Sequence, residues 1–131
     1  MTTSRTELPA WKALEAHAAQ ISIRHLRDLF ASDGAARFDA TSVQALDLLY
    51  DFSRQRVTRE TLSLLHSLAQ ACDLPARIAA LFAGEAVNIT EGRAAMHMAL
   101  RNRSDRPMRA AGQDVMPEVR AQLAKMHDFV T

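Results

Sequence analysis

The residues able to do chemistry are scattered along this chain rather than grouped. Five histidines stand at His17, His25, His66, His97 and His127. None forms a His-x-His pair or the His-Glu-x-x-His pattern that presents two imidazoles to zinc from one helix face. His17 and His25 lie about two helical turns apart and do not meet. Each histidine is therefore expected at the surface or half-buried. Cys72 is the one cysteine, so a mixed thiolate and imidazole zinc site is not expected. It falls on an apolar helical stripe, which points to packing rather than nucleophilic use. Asp47 and Asp51 share one face of an expected strand and have the residue types of an acid/base pair. A solvated strand face is the preferred reading. No serine sits in a Gly-x-Ser-x-Gly setting. Arg101, Arg103, Arg106 and Arg109 are the most pronounced group, and guanidinium groups near a helix end can clamp phosphate bidentately. Against that stands a solvated loop, partly balanced by Asp105 and Asp114. No aromatic residues interleave with these arginines, as stacked bases would require. Gly34, Gly84, Gly92 and Gly112 are dispersed, so no glycine-rich loop offers backbone N–H groups to a phosphate. The residues therefore give no catalytic group, no substrate-binding group, no metal ligand and no cofactor site.

The elements that would carry these residues are mostly helical. Pro9 is pre-organised for a first helical turn. Trp11, Leu14, Ala18 and Ile21 follow as one apolar stripe, continuing through His25, Leu26 and Leu29 to Phe30, with Gly34 as a stop. That helix either runs unbroken or bends near the β-branched pair Ile21 and Ile23. Leu46, Leu48, Tyr50 and Phe52 alternate with Asp47, Leu49, Asp51 and Ser53, which predicts a strand with one buried face. Phe38–Val43 is the candidate hairpin partner, although Gly and Asn-Gly turn signals are missing. Thr58 is placed to cap the next helix, with Leu62, Leu65, Ala69 and Cys72 on one face. Pro75 starts a short helix that buries Ile78, Leu81 and Phe82 and ends at Gly84. Thr90 is expected to cap a helix from Glu91 to Arg101, with Glu91 favoured by the helix dipole. A polar loop, 102–112, precedes a last helix capped by Asp114, with Pro117 tolerated in its first turn. Val115, Val119, Leu123, Met126 and Val130 form its stripe. This helix reaches the end of the chain without a glycine stop, as expected where a longer chain has been cut. The fold class expected of residues 1–131 is mainly α with a minor β-hairpin, as one segment with no internal domain boundary.

Composition narrows the function classes. A chain of 131 residues and 48% hydrophobic content suits one ordinary domain. The net charge of +1 gives no electrostatic reason for a nucleic-acid or anionic-membrane partner. No apolar run approaches the ~20 residues needed to span a bilayer. Met1-Thr2-Thr3-Ser4-Arg5 lacks the apolar core of a signal peptide. Asn88 and Asn102 begin Asn-x-Ser/Thr triplets, which carry no meaning without secretion. A lone cysteine fits a reducing cytoplasm.

The stretch Asn88-Ile89-Thr90-Glu91-Gly92-Arg93-Ala94-Ala95-Met96-His97-Met98-Ala99-Leu100-Arg101-Asn102-Arg103-Ser104 resembles the signature near the amino terminus of the glucose-6-phosphate isomerase (phosphoglucose isomerase) family. Further matches lie on either side. Trp11-Lys12-Ala13-Leu14 with Ala16-His17, and His25-Leu26-Arg27-Asp28-Leu29-Phe30, resemble the family's first helices. Leu48-Leu49-Tyr50-Asp51-Phe52-Ser53-Arg54-Gln55-Arg56-Val57 resembles its early strand. Thr61-Leu62 through Leu68-Ala69 is similar to the helix after it. Asp114-Val115-Met116-Pro117-Glu118-Val119, with Leu123 and Lys125-Met126, is similar to a later helix. Gly92 beside Arg93 permits close backbone approach while a long donor reaches a neighbouring element, so Arg93 and His97 read as ordering residues.

The resemblance implies an aldose-ketose isomerase interconverting glucose 6-phosphate and fructose 6-phosphate through an enediol. It implies a full-length α/β enzyme of two sandwich subdomains, working as a homodimer. The family's glutamate base, its assisting histidine and lysine, and its Gly-Ile-Gly-Gly-Ser type phosphate loop have no counterpart in residues 1–131. The isolated chain is therefore expected to be inactive, with sugar phosphate a partner only of the complete enzyme. Its uncovered apolar stripes are expected to favour self-association. The alternatives are a stand-alone helical interaction module, and phosphate or RNA binding through Arg101–Arg109, which would be steeply salt-dependent.

Overall fold

A computed structural model describes residues 4–131. They fall into two compact units, one ending at Cys72 and the other running from Asp73 to Thr131. The secondary structure is mainly helical with two small antiparallel hairpins. No helix among the described residues is long and apolar enough to cross a membrane.

In the first unit a 3-10 turn (Arg5–Glu7) precedes α1 (Pro9–Ser22), and Pro9 occupies the first turn of α1 as its fixed φ favours. The helix ends there. Ile23 closes α1, and His25, in extended backbone, begins α2 (Leu26–Asp33) by accepting the Arg27 N–H at its Nδ1, 3.1 Å away. Of the two paths the sequence left open, the chain takes the broken one, and an imidazole supplies the new helix's cap. Gly34 stops α2 with φ +57. A short helix, α3 (Ala36–Ala40), follows, and then strands β1 (Ser42–Ala45) and β2 (Leu48–Asp51). Phe38 thus belongs to α3, and the partner strand expected over Phe38–Val43 instead lies at β1, sharing only Ser42 and Val43 with it. The hairpin turns on Leu46 and Asp47, both at positive φ. That is the backbone a two-residue turn between twisted strands demands, and it normally selects Asn or Gly. The last helix of the unit, α4 (Arg59–Ala71), packs on α1. Thr58 caps it in a reciprocal box with Thr61, as its sequence position predicts.

The second unit begins at Asp73, whose left-handed backbone turns the chain into α5 (Leu74–Phe82). Gly84 ends that helix region at φ +74, and its missing side chain is required. A Cβ there would overlap the Arg109 carbonyl. The expected helix over Glu91–Arg101 does not form. Asn88 exchanges both backbone hydrogen bonds with Arg93, and its side-chain oxygen accepts from the Thr90 hydroxyl and the Glu91 N–H. A side chain that satisfies nearby donors in this way competes with a helix, and Gly92 at φ +63 turns the path out of the right-handed region. Only a single 3-10 turn, Ala99–Arg101, remains helical. A second hairpin, missed as part of a polar loop, joins β3 (Arg109–Ala110) to β4 (Gln113–Asp114) through Ala111 and Gly112, again both at positive φ. The final helix is α6 (Met116–Val130), with Pro117 in its first turn. Asp114 serves its start as expected, accepting the Met116 N–H at 3.1 Å and also the Met108 N–H at 3.2 Å.

The core is small and half polar. Ile21, Leu29, Ala99 and Met116 are the buried apolar residues among those described, beside buried His17, Arg37, Thr41, Ser53 and Thr61. The apolar stripes are largely exposed, and Ile78 and Phe82, expected to be buried by their helix, are exposed with them. Ile78, Phe82, Leu65, Leu123, Met126 and Val130 all face outward. The β2 strand has no buried residue, which corrects the expectation of one buried face.

Gly84→Ala is expected to destabilise the second unit by about 2 kcal/mol or more, since backbone strain at positive φ adds to a clash with a carbonyl that cannot rotate away. Urea denaturation of the 131-residue chain followed by circular dichroism measures it, with Gly112→Ala, where a Cβ meets nothing, as the comparison.

Candidate functional site

The most heavily bonded side chain in the first unit is Arg37, at 1% exposure. It projects from α3 into the bend that follows β2. Its Nε donates to the Ser53 carbonyl at 2.8 Å. One terminal nitrogen, Nη2, donates to Gln55 at 2.6 Å and Val57 at 3.3 Å, and Nη1 donates to Val57 at 3.2 Å and to Asp33 Oδ2 at 3.0 Å. All five N–H groups of the guanidinium are thereby used, the limit for this side chain. The Phe30 ring lies 5.3 Å below its carbon and adds a cation–π contact. Burial of a charge without such partners would be prohibitive. Arg37 therefore folds the 53–57 bend around itself and fixes where α4 begins.

Two carboxylates finish this arrangement. The Arg37 hydrogen bond, then that of Ser32, holds the Asp33 carboxyl below its ordinary value of 3.8. The Ser53 side chain, then its backbone N–H at 2.7 Å from Asp51 Oδ1, does the same for Asp51. Asp47 instead occupies the hairpin turn, so Asp47 and Asp51 do not share a strand face as expected. Asp51 is committed to the backbone of its own bend rather than placed as an acid/base group.

A second polar node joins α1 to α4. His17 Nε2 lies 2.7 Å from Thr61 Oγ1, and its Nδ1 lies 3.6 Å from Glu60 Oε2. The order hydroxyl, imidazole, carboxylate has the outline of a nucleophilic triad. It lacks the substance of one. Thr61 Oγ1 is buried, and it already accepts the Thr58 N–H at 3.0 Å as half of the helix cap. His17 Nδ1 is buried without a hydrogen-bond partner. This node fastens two helices.

A cleft of about 470 Å³ opens beside Arg37, and Arg24, Asp33, Arg59 and Glu60 give it both signs of charge. The Arg37 donors beside this cleft are already spent on three backbone carbonyls and on Asp33. The arginines in the second unit are likewise dispersed. Arg101 Nη1 donates to the His97 carbonyl and Arg109 Nη1 to that of Gly112. Arg103 and Arg106 line separate depressions. The loop around them is tied by Asn102, which donates to the Arg106 carbonyl and accepts from the Ser104 N–H and hydroxyl, and by the Arg120–Asp105 pair at 3.3 Å. All four arginines are exposed. His97 and Arg93, read as ordering residues, are both exposed, and Arg93 approaches Glu91 at 4.0 Å. No group of three or more His, Cys, Asp or Glu residues that could hold a metal occurs among the described residues.

Comparison with known proteins gives this arrangement its setting. Residues 51–131 match the family model described as phosphoglucose isomerase. Over 124 residues the chain is 52% identical to a glucose-6-phosphate isomerase of Methylococcus capsulatus, with 95% of this chain and 22% of that protein aligned. It is 47% identical over 129 residues to a glucose-6-phosphate isomerase of Shewanella baltica, covering 98% of this chain and 23% of the relative. Glucose-6-phosphate isomerase 1 of Chromobacterium violaceum is 48% identical over 124 residues. The chain belongs to the phosphoglucose isomerase family. It spans less than a quarter of the length of these relatives.

Arg37→Lys is expected to cost about 3 kcal/mol, because an ammonium group keeps the charge but cannot reach three carbonyls and a carboxylate in one plane. A lower urea midpoint for the first unit, with amide exchange accelerating at residues 53–57, is the expected result. The acid limb follows from the same contacts. Both Asp33 and Asp51 titrate below 3.8 in the folded chain, so their stabilisation is fully present above that value and is lost as pH falls through the lowered folded values. Asp33→Asn should flatten that acid limb in denaturation curves taken from pH about 5 downward, and should leave the curves near neutral pH less pH-dependent than below it.

Proposed function

We propose that this chain is the amino-terminal part of a glucose-6-phosphate isomerase, the enzyme that interconverts glucose 6-phosphate and fructose 6-phosphate in glycolysis and gluconeogenesis. The observation that carries the reading is 52% identity over 124 residues to a relative of that name, in agreement with the family match over 51–131. The chain's own polar groups support a positioning role. Arg37, His17, Thr61, Asn88, Asn102 and Asp114 are each bonded to backbone or to one another.

In this reading, residues 1–131 act as one segment of a larger α/β enzyme with two sandwich subdomains, and they support the site without entering it. The base, the ring-opening groups and the phosphate loop come from other parts of the polypeptide. The complete enzyme works as a cytoplasmic homodimer that needs no cofactor and binds neither nucleic acid nor membrane.

A chimera tests this. Residues 1–131 replace the matching segment of the Methylococcus capsulatus relative, and conversion of fructose 6-phosphate is followed by a coupled dehydrogenase assay. Activity is expected in the chimera and not in the 131-residue chain alone. A folded but inactive chimera would favour an independent interaction module, and activity in the short chain would show that an active site has been missed.

A further inference from the structure

The β1–β2 hairpin separates its residues by chemistry. The register sets Val43 opposite Tyr50 and Ala45 opposite Leu48. Cross-strand partners, and residues two apart on a strand, share a face. Val43, Ala45, Leu48 and Tyr50 therefore make one wholly apolar face. Ser42, Asp51, Gln44 and Leu49 make the other, and Asp51 is already bonded to the Ser53 N–H. That face is polar except for Leu49, which is 59% exposed. The apolar face is uncovered, with Val43 and Leu48 each 56% exposed and Leu46 at the tip 95% exposed.

A two-stranded hairpin alone is marginal in water. This one is held at its base by the Phe52 N–H donating to the Thr41 carbonyl at 2.8 Å and by Arg37 beyond it. Among the described residues no comparable hydrogen bond holds its tip. A contiguous apolar face on such an element marks a contact surface.

We propose that this face docks on the part of the isomerase polypeptide outside residues 1–131. The inference rests on the function proposed above. Four strand side chains and a tip leucine fall well short of the ~800 Å² per partner that a stable association between separate chains needs. A covalently continuous segment escapes most of the translational and rotational cost of association, so a small apolar face suffices. The relatives extend well beyond the 22–23% of their length matched by this chain, which supplies such a segment.

Tyr50 reports on the face directly, because it is the one tyrosine of the chain. Nitration by tetranitromethane, mapped by peptide mass spectrometry, is compared between the dilute 131-residue chain and the chimera described above. Ready nitration is expected in the short chain and a rate at least about tenfold lower in the chimera, where reaction requires local opening. Leu48→Glu in the chimera should restore nitration, and Gln44→Glu on the opposite face should not. An active chimera whose Tyr50 reacts as fast as in the short chain overturns the docking and leaves the isomerase reading standing. An inactive chimera with Tyr50 protected supports the docking and removes the isomerase reading. Reactive Tyr50 in an inactive chimera removes both. Protection already present in the short chain overturns the proposal, since another part of the chain or a second copy would then cover the face.

Discussion

Everything in the first unit after α3 depends on keeping one buried cation satisfied. A guanidinium group removed from water must find a partner for each N–H, because a single orphaned donor beside a buried charge costs more than most side-chain contacts return. Arg37 meets that condition with the carbonyls of Ser53, Gln55 and Val57 and the carboxylate of Asp33. The condition is geometric as well as energetic. Three carbonyls must converge on one plane, so the 53–57 bend has little freedom. Its far end delivers Thr58 to the cap of α4, and α4 then meets α1 through Thr61 and His17. A chain of polar constraints thus does the work that a larger apolar core would do elsewhere.

The second unit solves the same problem of few buried apolar residues with backbone turns. Asn88 and Asn102 gather donors from residues two or three further on, and Asp114 from Met108 behind it and Met116 ahead, which fixes loops that carry little burial. Glycine enters where it must. At Gly84 the Arg109 carbonyl occupies the space a side chain would need, and this approach ties the end of α5 to the second hairpin. The two units therefore share a design in which short polar contacts define shape and apolar surface is left over.

How far the sequence disclosed this depends on whether the signal was local. Pro9, Gly34, Thr58 and Pro117 act within one helical turn of themselves, and each sits where its chemistry predicts. The hairpin at Leu46–Asp47 was visible as alternation but not as a turn, because neither residue is the Asn or Gly that positive φ favours. The absent helix after Thr90 is the reverse case. Its apolar spacing and acidic first turn look helical, yet Asn88 captures the donors that would start it and Gly92 turns the chain aside. Arg37 gave no signal at all. Its importance lies in carbonyls sixteen to twenty residues away, and carbonyls are invisible in a sequence. The arginine run at 101–109 sits in the solvated loop that its balancing Asp105 and Asp114 suggested, with all four arginines exposed.

The imbalance between satisfied polar groups and exposed apolar ones carries the last step. A chain that folded for itself would be expected to cover Leu48, Phe82 and Met126 before burying an arginine, because apolar burial is the dominant favourable term. Here the order is inverted: Arg37 is inside and those residues are outside. Such an inversion is stable in a segment whose polar groups must be settled internally, while its apolar faces meet a larger body. Internal settlement gives the segment a defined shape to present, and the presented faces then contribute burial to the whole. In the proposed reading the rest of the isomerase polypeptide is that larger body, and the constraints running from Arg37 to His17 give the first unit the shape it presents.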